Sequence, residues 1–299
     1  MTIGQDAQSL TPNGKSRTPY PKVRRMRFRF GQPEPMQHRF VQDDIPLTHL
    51  IAVLSGAFPP GEESFIRSVR KFSEEITDPV LKKRVAGFIG QEAVHGQQHR
   101  VLNDMLIDNG FPIVRIFTFD RDALRERGLV ALENAVPRQV HLAVTAAAEH
   151  YTATLAKRVL GTQEIQDIPG DPEVLNLLNW HAFEELEHKS VAFDVFRDRG
   201  GAEVVRIGVM AGMYVFTIPV VSLGVLASIL SDPSSWRPFK VVRQTIRLYR
   251  GPIVKGLLKE MRPYMRPGFH PDDIDTDALL EAWRQELFGA HGELVDRIG

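Results

Sequence analysis

Apolar residues recur along this chain mainly at three- and four-residue steps, the period of an amphipathic helix, and alternate with polar ones over only one short stretch. A helical pattern covers Leu47–Ala57 and is expected to break at Phe58-Pro59-Pro60-Gly61. The next is expected from Glu62 to about Ile76, on a face of Phe65, Ile66, Val69, Phe72 and Ile76, with Thr77-Asp78-Pro79 ending it. Pro79–Asn109 follows and stops at the cap signal Asn109-Gly110. Phe111–Arg127 reads as a connector, and helices are predicted over about 130–160 and 172–199. Residues 207–230 carry no charge over 24 positions, enough to cross a bilayer. A buried helix and a re-entrant or surface-seated hairpin are the alternatives, because Gly212, Pro219 and Gly224 weaken a straight span. Phe239–Met261 sets Val242, Ile246, Tyr249, Ile253 and Leu257 on one face and Arg and Lys on the other, a pattern suited to anionic headgroups or to the domain itself. Thr276–Phe288 reads as a short C-terminal helix. The alternating stretch is Arg25–Phe30 within KVRRMRFRF, expected to be an edge strand or a solvated arm.

These elements divide the chain into a polar tail expected to be disordered (1–21), a bundle (22–205) and an apolar and basic C-terminal region packed on the bundle or at a membrane (206–299). At 299 residues a single helical unit can bury a large core. The 37 basic and 37 acidic residues cancel, so nothing points to nucleic acid as a partner. The opening residues lack the apolar core of a secretory signal, so a cytoplasmic location is expected, with the inner membrane as a site of association if the apolar segment inserts. The chain has no Cys, which excludes disulfides, thiolate metal sites and a Cys nucleophile. Any metal must sit on oxygen and nitrogen ligands, as iron, manganese and catalytic zinc do.

Such ligands are present in a repeated spacing. Glu92-x-x-His95 and Glu185-x-x-His188 each put a carboxylate and an imidazole on one helical face, since three residues rotate about 300° and rise about 4.5 Å. Two such helices plus a lone Glu from each of two others form the ligand set of a carboxylate-bridged di-metal bundle. Glu62 and Glu149 supply the lone carboxylates. Glu62 projects toward the apolar face of its helix, although first-turn dipole compensation is the ordinary reading of a Glu there. Glu149 lies in HLAVTAAAEHYTATLA, where an unpaired carboxylate would cost several kcal/mol. His181 stands one turn before Glu185, so that face reads His-x-x-x-Glu-x-x-His. The parallel with Glu92-x-x-His95 favours Glu185 over Glu184, leaving Glu184 beside the ligands or in solvent. His99 is nearly in line with Glu92 and is a candidate to support a ligand or face a substrate. Asp194 is a candidate to orient a ligand His, or an ordinary surface partner. The chain lacks a phosphate-binding Gly-rich loop, a G-x-S-x-G elbow and the H-E-x-x-H spacing of zinc proteases.

The blocks FPPGEESFIRSVR, GQEAVHGQQHR, TAAAEHYTA, WHAFEELEHKSVAFDV and RPGFHP resemble the pattern of the bacterial predicted metal-dependent hydrolases, over roughly residues 22–285. The resemblance implies a ferritin-like, all-α four-helix bundle with a di-metal carboxylate site, an additional apolar helix or hairpin, and C-terminal helices. The site pattern is also similar to that of the di-iron arylamine N-oxygenases, which implies Glu62, Glu92, His95, Glu149, His181, Glu185 and His188 as ligands, with His181 as the seventh.

Four Glu carboxylates would balance two divalent ions in a buried site. An all-helical, Glu-rich set favours two iron ions, with manganese or zinc as alternatives, that activate dioxygen on a small, hydrophobic substrate with the help of an electron donor. The alternative is a hydrolase in which the metal pair activates water. A ferroxidase, iron-binding or structural bundle is a third reading. A membrane surface and a homodimer partner are left open.

Overall fold

The structure, a computed structural model, describes residues 20–117 and 123–299, so the expected disordered tail lies outside the described residues as far as position 19. Asp44, Asp78 and Asp171 start three of the long helices by accepting backbone N–H groups of the first turn, and proline opens the latter two where no N–H is needed. The first helix, α1 (Ile45–Arg70), does not break at the prolines as expected but runs through Pro59 and Pro60. Proline at 59 leaves the Ser55 carbonyl without its usual donor one turn on. The Asn103 side chain supplies one instead, Nδ2 donating to that carbonyl at 2.9 Å while Ser55 Oγ donates to Asn103 Oδ1 at 2.8 Å. Glu62 is thus within a continuous helix, one turn past the prolines.

Asn103 belongs to α2 (Pro79–Asp108), which ends where expected, with Gly110 at φ 94°. After α3 (Val114–Phe117), the helix expected from about residue 130 is two: α4 (Ala123–Ala135) and α5 (Arg138–Gly161). Pro137 parts them, because a residue preceding proline is driven out of the helical region. After α6 (Gln163–Gln166), the predicted helix 172–199 is also divided, into α7 (Pro172–His188) and α8 (Val191–Asp198). At the junction Ser190 sits at φ −108°, ψ −5°, and Lys189 turns inward to donate to the Ile274 carbonyl at 2.6 Å and Thr276 Oγ1 at 2.9 Å. Holding a buried ammonium on two acceptors sets the chain direction there.

The uncharged segment lies within a single helix, α9 (Glu203–Ser231), continuous through Pro219 and not a hairpin. It is long and apolar enough, by length and composition, to cross a membrane. One side packs on α1 and α5. The basic amphipathic helix is α10 (Pro238–Arg250), shorter than expected because Gly251-Pro252 ends it. A short α11 (Leu257–Met261) and α12 (Asp277–Phe288) complete an all-α bundle. The stretch 22–30 forms an arm, with one isolated antiparallel bridge between Met26 and Ile298. Its alternation is real but it is not solvated on both sides: Arg24, Met26, Phe28 and Phe30 are buried while Arg25, Arg27 and Arg29 are exposed. Gly87 of α2 admits the arm, since a Cβ there would lie 2.4 Å from the Pro21 carbonyl oxygen.

Among the described residues, two apolar cores fill the bundle. One includes Val94, Leu102, Ala153, Ala156, Trp180 and Phe183, and the other Val85, Phe88, Leu142, Ala146, Val191 and Phe196. Along α2, α5 and α7–α8, the passage from one core to the other falls at Glu92, Glu149 and His188.

Candidate metal centre

Those three residues are part of a buried polar cluster built from four helices. Glu62 comes from α1, Glu92 and His95 from α2, Glu149 from α5, and His181, Glu185 and His188 from α7. Their ligand atoms form three overlapping groups, Glu62–His95–His181, Glu92–Glu149–His188 and Glu92–His95–Glu185, each with atoms within 4.8 Å of one another. The seven residues expected from the spacing and the resemblance are therefore brought together. The third group joins the other two, sharing His95 with the first and Glu92 with the second. Glu185 Oε1 is 2.9 Å from His181 Nε2, and Oε2 is 3.5 Å from His188 Nε2 and accepts from Thr152 Oγ1.

Each histidine has its far nitrogen held, which leaves the near one facing the cluster. His95 Nε2 lies 3.1 Å from Glu184 Oε2, His188 Nδ1 lies 2.9 Å from Gln91 Oε1, and His181 Nδ1 lies 2.7 Å from His99 Nε2. Behind His99, Nδ1 lies 2.9 Å from Ser55 Oγ, joining the site to the proline-repair pair of α1 and α2. Carboxyl, amide and imidazole partners of this kind fix ring orientation and tautomer in metal sites. Glu184 is in turn held by Arg24 at 2.7 Å, and Arg24 also grips both oxygens of Glu187, at 2.7 and 2.9 Å.

The inward-facing atoms are unsatisfied. Both oxygens of Glu62, Glu92 and Glu149, Nδ1 of His95 and Nε2 of His188 are buried without a hydrogen-bond partner. Short separations such as His188 Nε2 to Glu92 at 3.1 Å and to Glu149 at 3.2 Å make no well-angled hydrogen bond. Burial, reinforced by neighbouring carboxylates, pushes Glu62 and Glu92 well above the usual carboxylate range and Glu149 to about 7. Burial also opposes ionisation of Glu185, but His188 and His181 outweigh it and hold this carboxyl well below its usual range. His95 is driven well below the usual imidazole range by burial and by His181. Converging lone pairs in a dry interior need cations or protons, and the Glu/His donor set suits a divalent metal. Gly96 keeps the floor open, as a Cβ there would come within 3.2 Å of Glu62 Oε2.

Of the two roles open to Asp194, orienting a ligand His or ordinary pairing, its contacts show the second. It pairs with Arg84 and lies 2.8 Å from His270 Nε2, because the break after α7 redirects α8. Arg24, Gln91 and Thr152 were not anticipated. The Arg24 position carried a signal in the alternating arm, which puts an arginine on the same side as Met26, Phe28 and Phe30; Gln91 and Thr152 had none. A cavity of about 1140 Å³, lined largely by apolar side chains, reaches the cluster at Glu62, His181 and Glu185. Glu92, Glu149 and His188 are not on its wall, so the cluster has one accessible end and one closed end.

The family model described as predicted metal-dependent hydrolase matches residues 22–275. No curated protein and no solved structure matches the chain. The family description overturns the expected dioxygen-activating di-iron oxygenase and agrees with the hydrolase alternative. The error has a chemical cause: carboxylate and imidazole ligands on helices serve iron, manganese and zinc alike, so ligand type does not separate redox from hydrolytic use. With more than four-fifths of its length matched, the chain belongs to the predicted metal-dependent hydrolase family.

Proposed function

We propose that the protein hydrolyses an ester, amide or phosphoester with an apolar body, using two divalent ions held by Glu62, Glu92, His95, Glu149, His181, Glu185 and His188. The observation that carries this reading is the convergence of unsatisfied buried carboxylate and imidazole atoms from four helices, in a chain of a metal-dependent hydrolase family. Bound there, divalent ions lower the pKa of water and polarise a carbonyl or phosphoryl oxygen. Glu184, Gln91 and His99 hold the three imidazoles in the orientation and tautomer that binding requires. Substrate would approach from the Glu62–His181–Glu185 end, where the cavity meets the cluster. Phe58, edge-on to the His181 ring at 4.7 Å and tilted against the His99 ring at 4.8 Å, also lines that cavity and keeps water off the imidazoles. The apolar wall would bind the substrate body and leave the scissile group at the polar end.

The test is hydrolysis, without oxygen, of p-nitrophenyl acyl esters and bis-p-nitrophenyl phosphate by protein reconstituted with zinc, manganese or ferrous iron. Glu149→Ala is expected to lose at least one ion by metal analysis and about 100-fold or more in turnover. No hydrolysis with any metal, or full metal content in Glu149→Ala, would refute the reading.

A further inference from the structure

Among the described residues, nothing covers the side of α9 turned away from α1 and α5. Val215, Phe216, Val220, Leu223 and Leu230 are 58 to 64 % exposed. The same exposure continues past the turn: Trp236 is 65 % exposed, and on α10 Phe239, Val242 and Ile246 share a face at 92, 59 and 48 %. Soluble chains rarely leave so extended an apolar surface open.

The charge around this surface is as unusual as its apolarity. From residue 207 to residue 259 there are seven basic residues and a single acidic one, Asp232, in a chain whose overall charge is zero. Asp232 is buried and engaged by Ser235, His38 and His49. Lys240 and Arg247 are tied to Asp43 and Asp44, anchoring α10 to the start of α1. Arg237, Arg243 and Arg250 have no ion pair among the described residues and border the exposed Phe239, Val242 and Ile246. A second copy is a poor occupant, since two-fold pairing of α10 would set these arginines against one another. Apolar side chains interleaved with unneutralised arginines, with the amphipathic rings of Trp236 and Tyr249 beside them, match an anionic lipid interface.

We propose that the α9–α10 face docks on an anionic bilayer, with α9 lying in the interface and its other side on the bundle. The cavity extends to this face: Leu226 and Tyr249 line it and are 49 and 40 % exposed, and Ser222 and Tyr249 are hydrogen-bonded across its edge. An amphiphile therefore passes from lipid to the Glu62–His181–Glu185 end along an apolar wall. This delivery rests on the hydrolase reading; docking does not.

Docking is read by flotation of the full chain with phosphatidylcholine vesicles, with and without phosphatidylglycerol at about 30 mol %. The protein floats with the anionic vesicles, and raising salt from about 50 to about 500 mM releases much of it. Phe239→Asp lowers the partition coefficient roughly tenfold or more, and the paired Arg243→Glu, Arg250→Glu variant removes the preference for phosphatidylglycerol. Both substitutions are at exposed positions, so circular dichroism and metal content stay unchanged. Absence of flotation, equal binding to both vesicle types, or a dimer that Phe239→Asp converts to monomer overturns the proposal. For delivery, Phe239→Asp slows hydrolysis of a vesicle-borne acyl ester and spares a water-soluble one. Equal loss on both substrates overturns delivery alone, and flotation without hydrolysis of either leaves docking standing and removes the hydrolase reading.

Discussion

Replacing Arg24 by Met tests whether the arm controls metal binding at the Glu/His cluster. The guanidinium is buried at 6 % exposure, with both its carboxylate partners, Glu184 and Glu187, also buried. It also lies 5.0 Å from the Phe183 ring centroid and 4.7 Å from that of Phe288, contacts that a methionine partly keeps. Losing one partner of a buried ionic group costs about 3–5 kcal/mol, because the remaining carboxylates are stranded. For a chain of 299 residues the unfolding entropy near the transition is about 0.6 kcal/mol/K, so this loss lowers Tm by roughly 5–8 °C. The effect reaches the metal through Glu184. Burial raises this carboxyl to about 7 and Arg24 pulls the other way, so losing Arg24 shifts it further toward the protonated form. A protonated Glu184 donates to His95 Nε2 and leaves the ring proton on Nδ1, the nitrogen facing the cluster. Metal affinity is then expected to fall about 10- to 100-fold, as when other partners of ligand histidines are lost. Calorimetry gives the Tm and competitive chelator titration gives the affinity. Wild-type metal affinity in Arg24→Met, with or without the stability loss, would refute the path through Glu184.

Two further substitutions test the frame around the site. Asn103→Leu removes the donor that replaces the backbone bond lost at Pro59, and urea unfolding should show about 1–3 kcal/mol of lost stability; an unchanged midpoint would mean that the helix tolerates an unpaired Ser55 carbonyl. His49 is buried beside Ser228 and Ser235, and burial lowers it to about 4, against about 6.5 when unfolded. The unfolded chain thus binds the proton first on acidification, so stability is full above about pH 6.5 and declines by about 3 kcal/mol as pH falls toward 4. His49→Gln should flatten that part of the stability curve, and an unaltered slope would contradict it.

The all-α class was legible because helical periodicity runs through nearly every segment. The spacing of Glu92, His95, Glu185 and His188 also puts four side chains on inward faces by local geometry alone. What the sequence obscured were places where a distant partner overrides a local rule. Two consecutive prolines ordinarily end a helix, yet Asn103, on another helix, repairs the missing bond and α1 continues. Nothing near Lys189 announces a break, which depends on acceptors at Ile274 and Thr276. Arg24 is the sharper case. Basic residues in an exposed-looking arm are ordinarily solvated, and only the arrival of Glu184 and Glu187 from α7 makes burial of this one favourable.

The same distinction separates chemistry from ligands. Four Glu and three His make a donor set that suits a divalent metal by charge and type, but those properties are common to hydrolytic and redox sites. The differences between such sites lie in what reaches the open end of the cluster and how each ligand is held. Here the open end is Glu62, His181 and Glu185, facing a long apolar cavity, while Glu92, Glu149 and His188 are sealed against the second core. The imidazole at the open end, His181, is held by His99 and through it by Ser55 and Asn103, the pair that carries α1 past its prolines. The irregularity in α1 and the orientation of the cavity-facing His181 imidazole are therefore one structural unit. A change at Asn103 acts on both, whereas a change at Gln91 acts on His188 and, through Glu187, on Arg24.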